Sequence, residues 1–298
     1  MALQAKQIKN QIQAIGNIKK ITKAMEMVAA TKMRKATEAA VSSREYARIS
    51  YEVLVNLGKQ KDIRHPFLEE RNNNKTLLVM FSANRGLCGS FNALNNKNVS
   101  EYYSQNNKNK FDFIAVGKKA AHHVKKLDGE ILASFTDYPD IAHIDDTWPI
   151  AKMIIQEFEK ESYGNIVLAY THFKSALSSS PVIKQLLPVD SSEVERLLKD
   201  IYEQEGETAF PGSGYKFEPT EEEALDFVLR RVIEVQVYQT LLESQASEHS
   251  SRMIAMKNAS ENADKLSEDL TLWYNRARQD QITQEIAEIA GGAQALNS

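Results

Sequence analysis

One cysteine, a pair of adjacent histidines and a pair of aspartates are the side chains of this 298-residue sequence whose types could carry chemistry. Cys88 lies in the run Ser82-Ala83-Asn84-Arg85-Gly86-Leu87-Cys88-Gly89-Ser90, after a strand-like stretch and before a helical one. Rossmann-type and P-loop folds set a phosphate on backbone N–H groups at such a place, but the run matches neither GxGxxG nor GxxxxGK(S/T). A reactive thiol beside Arg85 would need a base, and no feature of the sequence supplies one. The run therefore reads as a tight structural turn built on Arg85, Gly86, Cys88 and Gly89, with the cysteine semi-buried. His122 and His123 point in different directions on a helix, and the other four histidines show no ligand spacing. Asp145 and Asp146 stand just before Trp148 and Pro149, which suits a helix N-terminus better than an acid/base pair. The expectation is no catalytic residue, no metal and no cofactor.

Bulk composition excludes several classes. With 42% apolar and 26% charged residues the chain is neither disordered nor fibrous. Its 37 basic against 40 acidic residues, net -3, exclude a general polyelectrolyte binder of nucleic acid. The longest uncharged apolar run, near Thr76 to Ala83, is less than half of the roughly 20 residues that span a bilayer. A single cysteine rules out an internal disulfide or a Cys-rich zinc site. The opening MALQAKQIKN is amphipathic and acid-poor, as transit peptides are, but it lacks Arg and Ser and its pattern continues onward, so it reads as mature protein.

Charge is concentrated locally. In the first 36 residues Lys6, Lys9, Lys19, Lys20, Lys23, Lys32, Arg34 and Lys35 face only Glu26, a net of +7. From Leu241 onward nine acids stand against five bases, a net of -4. Part of the positive field must be neutralised if these stretches pair; a solvated coiled-coil flank and a docking surface for an acidic partner both remain open.

Those stretches are long helices by their spacing. Residues 1–58 carry Ile8, Ile12, Ile15, Ile18, Ile21, Met25 and Val28, at steps of 3 and 4 that average below 3.6 and favour a left-handed seam. After Pro219, Thr220 and Glu223 are placed like a capping box. The apolar series that follows runs Leu225, Val228, Val232, Val235, then Met253, Met256, Ala259, Ala263, Leu266, Leu270, Trp273 and Ala277, closing with Ile282, Ile286, Ile289, Ala293 and Leu296. Between the helices, TLLVMFS, FDFIAV, EILASF, NIVLAY and PVIKQLLPV alternate with helical patterns, one of them from Trp148 to about Glu161. The expected fold is mixed α+β and α/β: a long antiparallel two-helix coiled coil of the N- and C-terminal segments (1–58 and 219–298), an inserted Rossmann-like domain (75–189) and a variable connector (190–218). The second helix outruns the first by about 20 residues, some 30 Å. Ile282, Ile286, Ile289 and Leu296 would each forgo about 1.5 to 3 kcal/mol in water, so a partner, a fold-back or a second copy should cover them.

The segments IGNIKKITKAMEMVAATKMRKA, RGLCGSFN, KQLLP, LLESQASEHSSRMIAMKNASENADKL and YNRARQDQITQEIAEIAGGAQAL closely resemble the gamma subunit family of the F-type ATP synthase. The resemblance covers both long helices and part of the middle region. It implies a central rotor shaft, with the helix pair inserted into a hexamer of alternating alpha and beta subunits. The α/β domain would be a foot on the membrane-embedded c-ring, beside the epsilon subunit. It implies a non-catalytic subunit with no small-molecule substrate, coupling proton flow to ATP synthesis or hydrolysis in the beta subunits, peripheral on the cytoplasmic face of a bacterial plasma membrane.

Residue by residue, the resemblance places Ile282, Ile286, Ile289 and Leu296 at a tip held in an apolar sleeve. Arg278 and Gln279 match an Arg-Gln pair that hydrogen-bonds a beta-subunit loop. Lys23 and Met25 lie in a segment facing the acidic lever of the beta subunit, with Arg252 on the neighbouring helix. Tyr215 and Phe217 fall where the foot approaches the ring and the epsilon subunit. Two departures stand out: Asn84 replaces a usual Asp and removes a charge beside Arg85, and Asp280 replaces a small apolar residue, which weakens or redirects the contact with an acidic loop. The paired-thiol switch of chloroplast relatives is absent, since Cys88 is alone. Two competing readings are a nucleic-acid or membrane-surface binder, which requires the basic helix to be free, and an enzyme built around Cys88.

Overall fold

The computed structural model describes residues 2–58, 65–106, 110–190 and 220–296, and at 2–4, 44–47, 55–58, 221 and 293–296 the backbone alone. The expected connector, Asp190 apart, lies outside the described residues together with Tyr215 and Phe217. The chain divides into two compact units, Met1–Ala29 with Arg252–Ser298, and Ala30–Ser251. Helices α1 (Ala2–Gly58) and α5 (Glu221–Leu296) each contribute to both. The Thr220 hydroxyl accepts the Glu223 N–H at 3.2 Å and so caps α5 as its spacing predicts.

In the second unit the order is β1 (Thr76–Phe81), α2 (Phe91–Gln105), β2 (Phe111–Val116), α3 (Lys118–Lys126), β3 (Glu130–Phe135), α4 (Ile144–Glu159), β4 (Asn165–Ser175) and β5 (Ser178–Leu187). The sheet runs β3-β2-β1-β4-β5, parallel except for the β4/β5 hairpin. β1 and β2 are buried on both faces, which is why they read as unbroken apolar runs. Leu77, Val79 and Phe81 pack into a core with Ile150, Ile154 and Phe158 of α4, Tyr51 and Leu54 of α1, and Leu229, Val232 and Ile233 of α5. Leu78 and Met80 face the other way, onto Val99 and Tyr103 of α2 and Val124 of α3.

Two boundaries differ from the sequence expectation. Helix α4 starts at Ile144 rather than Trp148, because Asp146 accepts the His143 N–H at 2.7 Å and closes the first turn four residues earlier. Pro149 therefore sits inside the helix. The last two strands extend into a hairpin through Lys174 and Ser175, which the apolar pattern did not mark because this end is only partly buried.

In the first unit the expected seam is displaced. A covered stripe of α1 runs through Ala5, Ile8, Ile12, Ile15, Lys19, Thr22, Glu26 and Ala29 at alternating steps of 3 and 4, with Gly16 and Met25 partly covered beside it. Ile18, Ile21 and Val28 are instead more than half exposed. On α5 the stripe runs through Met256, Ser260, Ala263, Ser267, Leu270, Tyr274, Ala277 and Gln281, with Ala259 and Asp264 partly covered beside it, while Leu266 and Trp273 face outward. Averaged over the two stripes the step is 3.5, the signature of a left-handed supercoil. Small and polar residues hold more than half of these places, since a close helix–helix approach favours Ala, Ser and Thr over Ile and Leu. Apolar identity alone therefore selected Ile8, Ile12, Ile15 and Met25, which are covered, but also Ile18, Ile21 and Val28, which are not. Lys19 forms an ion pair with Asp264, and coverage of α5 ends at Gln281, as far beyond Asp264 as the start of α1 lies before Lys19. That register is antiparallel.

Candidate functional site

The turn after β1 closes over a buried cysteine. Cys88 is fully buried rather than semi-buried, in a small cluster with Ala83 and Phe91, and the Asn92 amide donates to its Sγ at 3.1 Å. The turn is held by the Ala83 N–H donating to Asn92 Oδ1 at 3.2 Å and by Tyr138 O–H donating to the Ser82 carbonyl at 2.9 Å. Gly89 has φ +56° and Leu87 φ +61°, the left-handed corner the turn requires. Arg85 and Gly86 are exposed at its rim. The Asn84 side-chain oxygen accepts the Lys118 N–H at 3.0 Å, capping α3, so Asn in place of Asp keeps the acceptor and loses only the charge. His123 meets Ser100 Oγ at 3.0 Å, and burial pulls its pKa below the ordinary value. Among the described residues no group of three His, Cys, Asp or Glu is placed to hold a metal, and no helix is long and apolar enough to cross a membrane.

The remaining predicted residues fall at the two ends of the coiled-coil unit. Near one end Lys23 pairs with Glu26 at 3.0 Å, and Met25 and, on α5, Arg252 are half-buried. At the other end Arg278, Gln279 and Asp280 are exposed beside Gln281, the last covered position. Beyond it every side chain from Ile282 to Gly292 is exposed, and Ile282, Ile286 and Ile289 rise through 46%, 61% and 73% exposure. Leu296 ends the helix, its side chain outside the described residues. The unpaired stretch is thus about 15 residues rather than 20, and three isoleucines stand in water on one stripe.

Residues 240–250 of α5, which the sequence reading did not single out, form a polar seat. Thr240, Ser244, Gln245, Ser247, His249 and Ser250 are all buried. Gln245 accepts the Ala142 N–H at 3.1 Å and donates to the Pro139 carbonyl at 2.9 Å, and His249 Nε2 donates to the Asp140 carbonyl at 3.1 Å. On the hairpin side Ser247 donates to the Thr171 carbonyl at 3.1 Å and Ser250 to that of Ala176. Lys32 of α1 pairs with the Asp140 carboxylate, which is held below its usual pKa by that contact. The available signal was the stretch from Glu243 to Arg252, where Ala246 is the one apolar residue. A helix whose apolar stripe thins in this way is either solvated there or enclosed by polar partners.

The seat includes one titrating contact. His172 Nδ1 lies 2.6 Å from Glu243, and that hydrogen bond raises the imidazole above 6.5, with burial, Lys174 and Lys184 opposing. A raised folded-state pKa gives a contribution fully present below pH 6.5 that is lost as pH rises through the raised value. The melting-temperature difference between the native chain and His172→Gln is therefore expected to be largest in mildly acidic buffer and to fade in alkaline buffer. It should stay small, because the pair is part-exposed and screened.

A doubly wound α/β unit seated on one helix, and an antiparallel coiled coil that ends in a bare apolar helix, define a shaft-type coiled-coil protein. Comparison with known proteins makes this specific. A family model described as ATP synthase matches residues 4–296. The ATP synthase gamma chain of Legionella pneumophila (strain Corby) is 36% identical over 295 residues, 98% of this chain and 99% of that one. That of Dehalococcoides mccartyi (strain CBDB1) is 36% identical over 294 residues, 97% and 98%. The central stalk/c-ring structure of the Tetrahymena thermophila mitochondrial ATP synthase contains a chain 27% identical, with TM-score 0.56, covering 80% of this chain and 99% of that one. A chain of the Euglena gracilis mitochondrial ATP synthase in rotational state 3 shares the fold, with TM-score 0.67 at 19% identity, over 99% and 95%. The chain belongs to the ATP synthase gamma-chain family.

Proposed function

We infer that the chain is the central rotor shaft of a proton-driven F-type ATP synthase, carrying rotation of the c-ring to the nucleotide sites of the beta subunits. The observation that carries this is the α5 end: the heptad seam stops at Gln281 while the apolar stripe Ile282, Ile286 and Ile289 continues uncovered. An apolar sleeve formed by alpha and beta subunits is the partner that suits it. Two helices have no threefold symmetry, so three chemically equal surroundings meet three different faces and are biased to different conformations with different nucleotide affinities. Turning the shaft exchanges those states. The chain itself makes no bonds.

Lys23, Met25, Arg252, Arg278 and Gln279 serve in this reading as contacts with the beta subunits. Tyr215 and Phe217 serve as contacts with the c-ring and epsilon subunit. Arg85, Gly86, Cys88 and Gly89 shape the foot. The site of action is the cytoplasmic face of a bacterial plasma membrane, to which the chain is attached through the ring. Asp264 and Asp140 engage Lys19 and Lys32 and so reduce the basic field of α1 that a nucleic-acid or membrane-surface role requires.

Co-expression of the full chain with the alpha and beta subunits of its own organism tests the reading. Native mass spectrometry should show one copy per hexamer, in a complex that hydrolyses ATP. A chain that stays monomeric, well folded and without affinity for those subunits overturns it.

A further inference from the structure

We propose that Gln245 is a positioning residue that holds α5 in rotational register against the α/β unit, so that torque applied to that unit enters the shaft without slip. The inference rests on the rotor reading and deepens it. Residues 136–143 carry the chain from edge strand β3 to α4, and their backbone groups cannot be satisfied by a strand or helix ladder. α5 supplies the partners. Gln245, a residue only 3% exposed, takes two of these groups at once, the Ala142 N–H and the Pro139 carbonyl. Tyr238 O–H donates to the Ala142 carbonyl at 3.3 Å and His249 to that of Asp140, while Lys32 ties the Asp140 carboxylate to α1.

The chemistry of this contact differs from that of the neighbouring turns of α5. Leu229, Val232, Ile233 and Leu241 enter the apolar core, where attraction follows buried area and has no preferred direction. Such packing opposes separation more than it opposes roll about the helix axis. A hydrogen bond weakens steeply once its angle falls below about 120°, so a roll of one residue position, about 100°, breaks both bonds of a bidentate amide. Gln245 penalises every register but one, because any other leaves the buried Ala142 N–H without its acceptor and breaks the bond to the Pro139 carbonyl.

The test uses the assembled membrane complex containing the full chain, and reads proton uptake into inverted vesicles per ATP hydrolysed. Gln245→Met keeps the length and removes both bonds. Hydrolysis is expected to stay within about twofold of the native complex while uptake per ATP falls by roughly half or more. Gln245→Glu keeps the acceptor for Ala142 but sets a carboxylate against the Pro139 carbonyl. Its deficit, taken relative to the native complex at each pH, should shrink as pH falls, because the protonated carboxyl can again donate.

Native uptake per ATP in both variants overturns the proposal. So does an equal loss of assembly, hydrolysis and uptake with no recovery of Gln245→Glu at low pH, which would mark a merely structural residue. A native chain absent from the ATP-hydrolysing complex would instead overturn the rotor reading, so the two failures are distinct.

Discussion

Replacing Gly117 by Ala is expected to lower the stability of the α/β unit by about 3 kcal/mol or more, a fall in melting temperature of roughly 6 to 12 °C. Gly117 joins β2 to α3 at φ +101°, a conformation that L side chains rarely adopt. A Cβ there would lie 2.1 Å from the Ser82 carbonyl oxygen and 2.9 Å from its carbon. Neither strand can yield cheaply, since Ser82 N–H donates to the Val116 carbonyl at 2.8 Å and Gly117 N–H to that of Phe135 at 2.8 Å. Differential scanning calorimetry of the full chain reads the shift, and a transition within about 1 °C of the native one would show that the backbone can relax. The effect should spread to the neighbouring turn, because Asn84 and Ala83 accept the Lys118 and Lys119 N–H groups just beyond Gly117.

The second large effect is on association rather than folding. The triple change Ile282→Ser, Ile286→Ser, Ile289→Ser removes apolar surface that the isolated chain leaves in water. Its melting temperature should hardly move, since exposed substitutions usually stay within about 0.5 kcal/mol each. If an apolar sleeve receives the tip, each lost side chain weakens the complex by roughly 1 to 2 kcal/mol, or about 10² to 10⁴ in affinity for all three. Titration of the alpha–beta hexamer with labelled chain measures it. Native affinity would mean that the tip is not what the hexamer grips. A strong loss of helix content in the isolated variant would point to a fold-back or a second copy as the cover.

How much of this was legible beforehand depended on whether neighbours along the chain or across it set the signal. β1 and β2 were plain because burial on both faces selects an unbroken apolar run. The turn at Cys88 could be read as structural from the sequence, since the flanking elements and the missing phosphate-binding glycines are local features. The seam was legible only in part, through Ile8, Ile12, Ile15, Met256, Ala263 and Leu270. Ile18 and Ile21 look like core residues by type, and Lys19, Thr22 and Ser260 do not, yet proximity of the two helices reverses their roles. The polar seat at Gln245 was missed for a related reason, because hydrogen-bond partners about 100 residues away leave no periodicity in the helix that carries them.

The amino-acid sequence by itself determined that two Pro-free helices enclose a small parallel α/β region, and that the last turns carry more apolar surface than a lone helix tolerates. Helical spacing and strand composition are local and need no partner to be read. The tertiary structure alone decided which stripe of each helix faces the other, that coverage stops at Gln281, and that α5 is gripped by Gln245 and His249. Those choices follow from close approach and directional hydrogen bonds between distant segments, where the size of a side chain and the reach of its polar atoms outweigh its hydrophobicity.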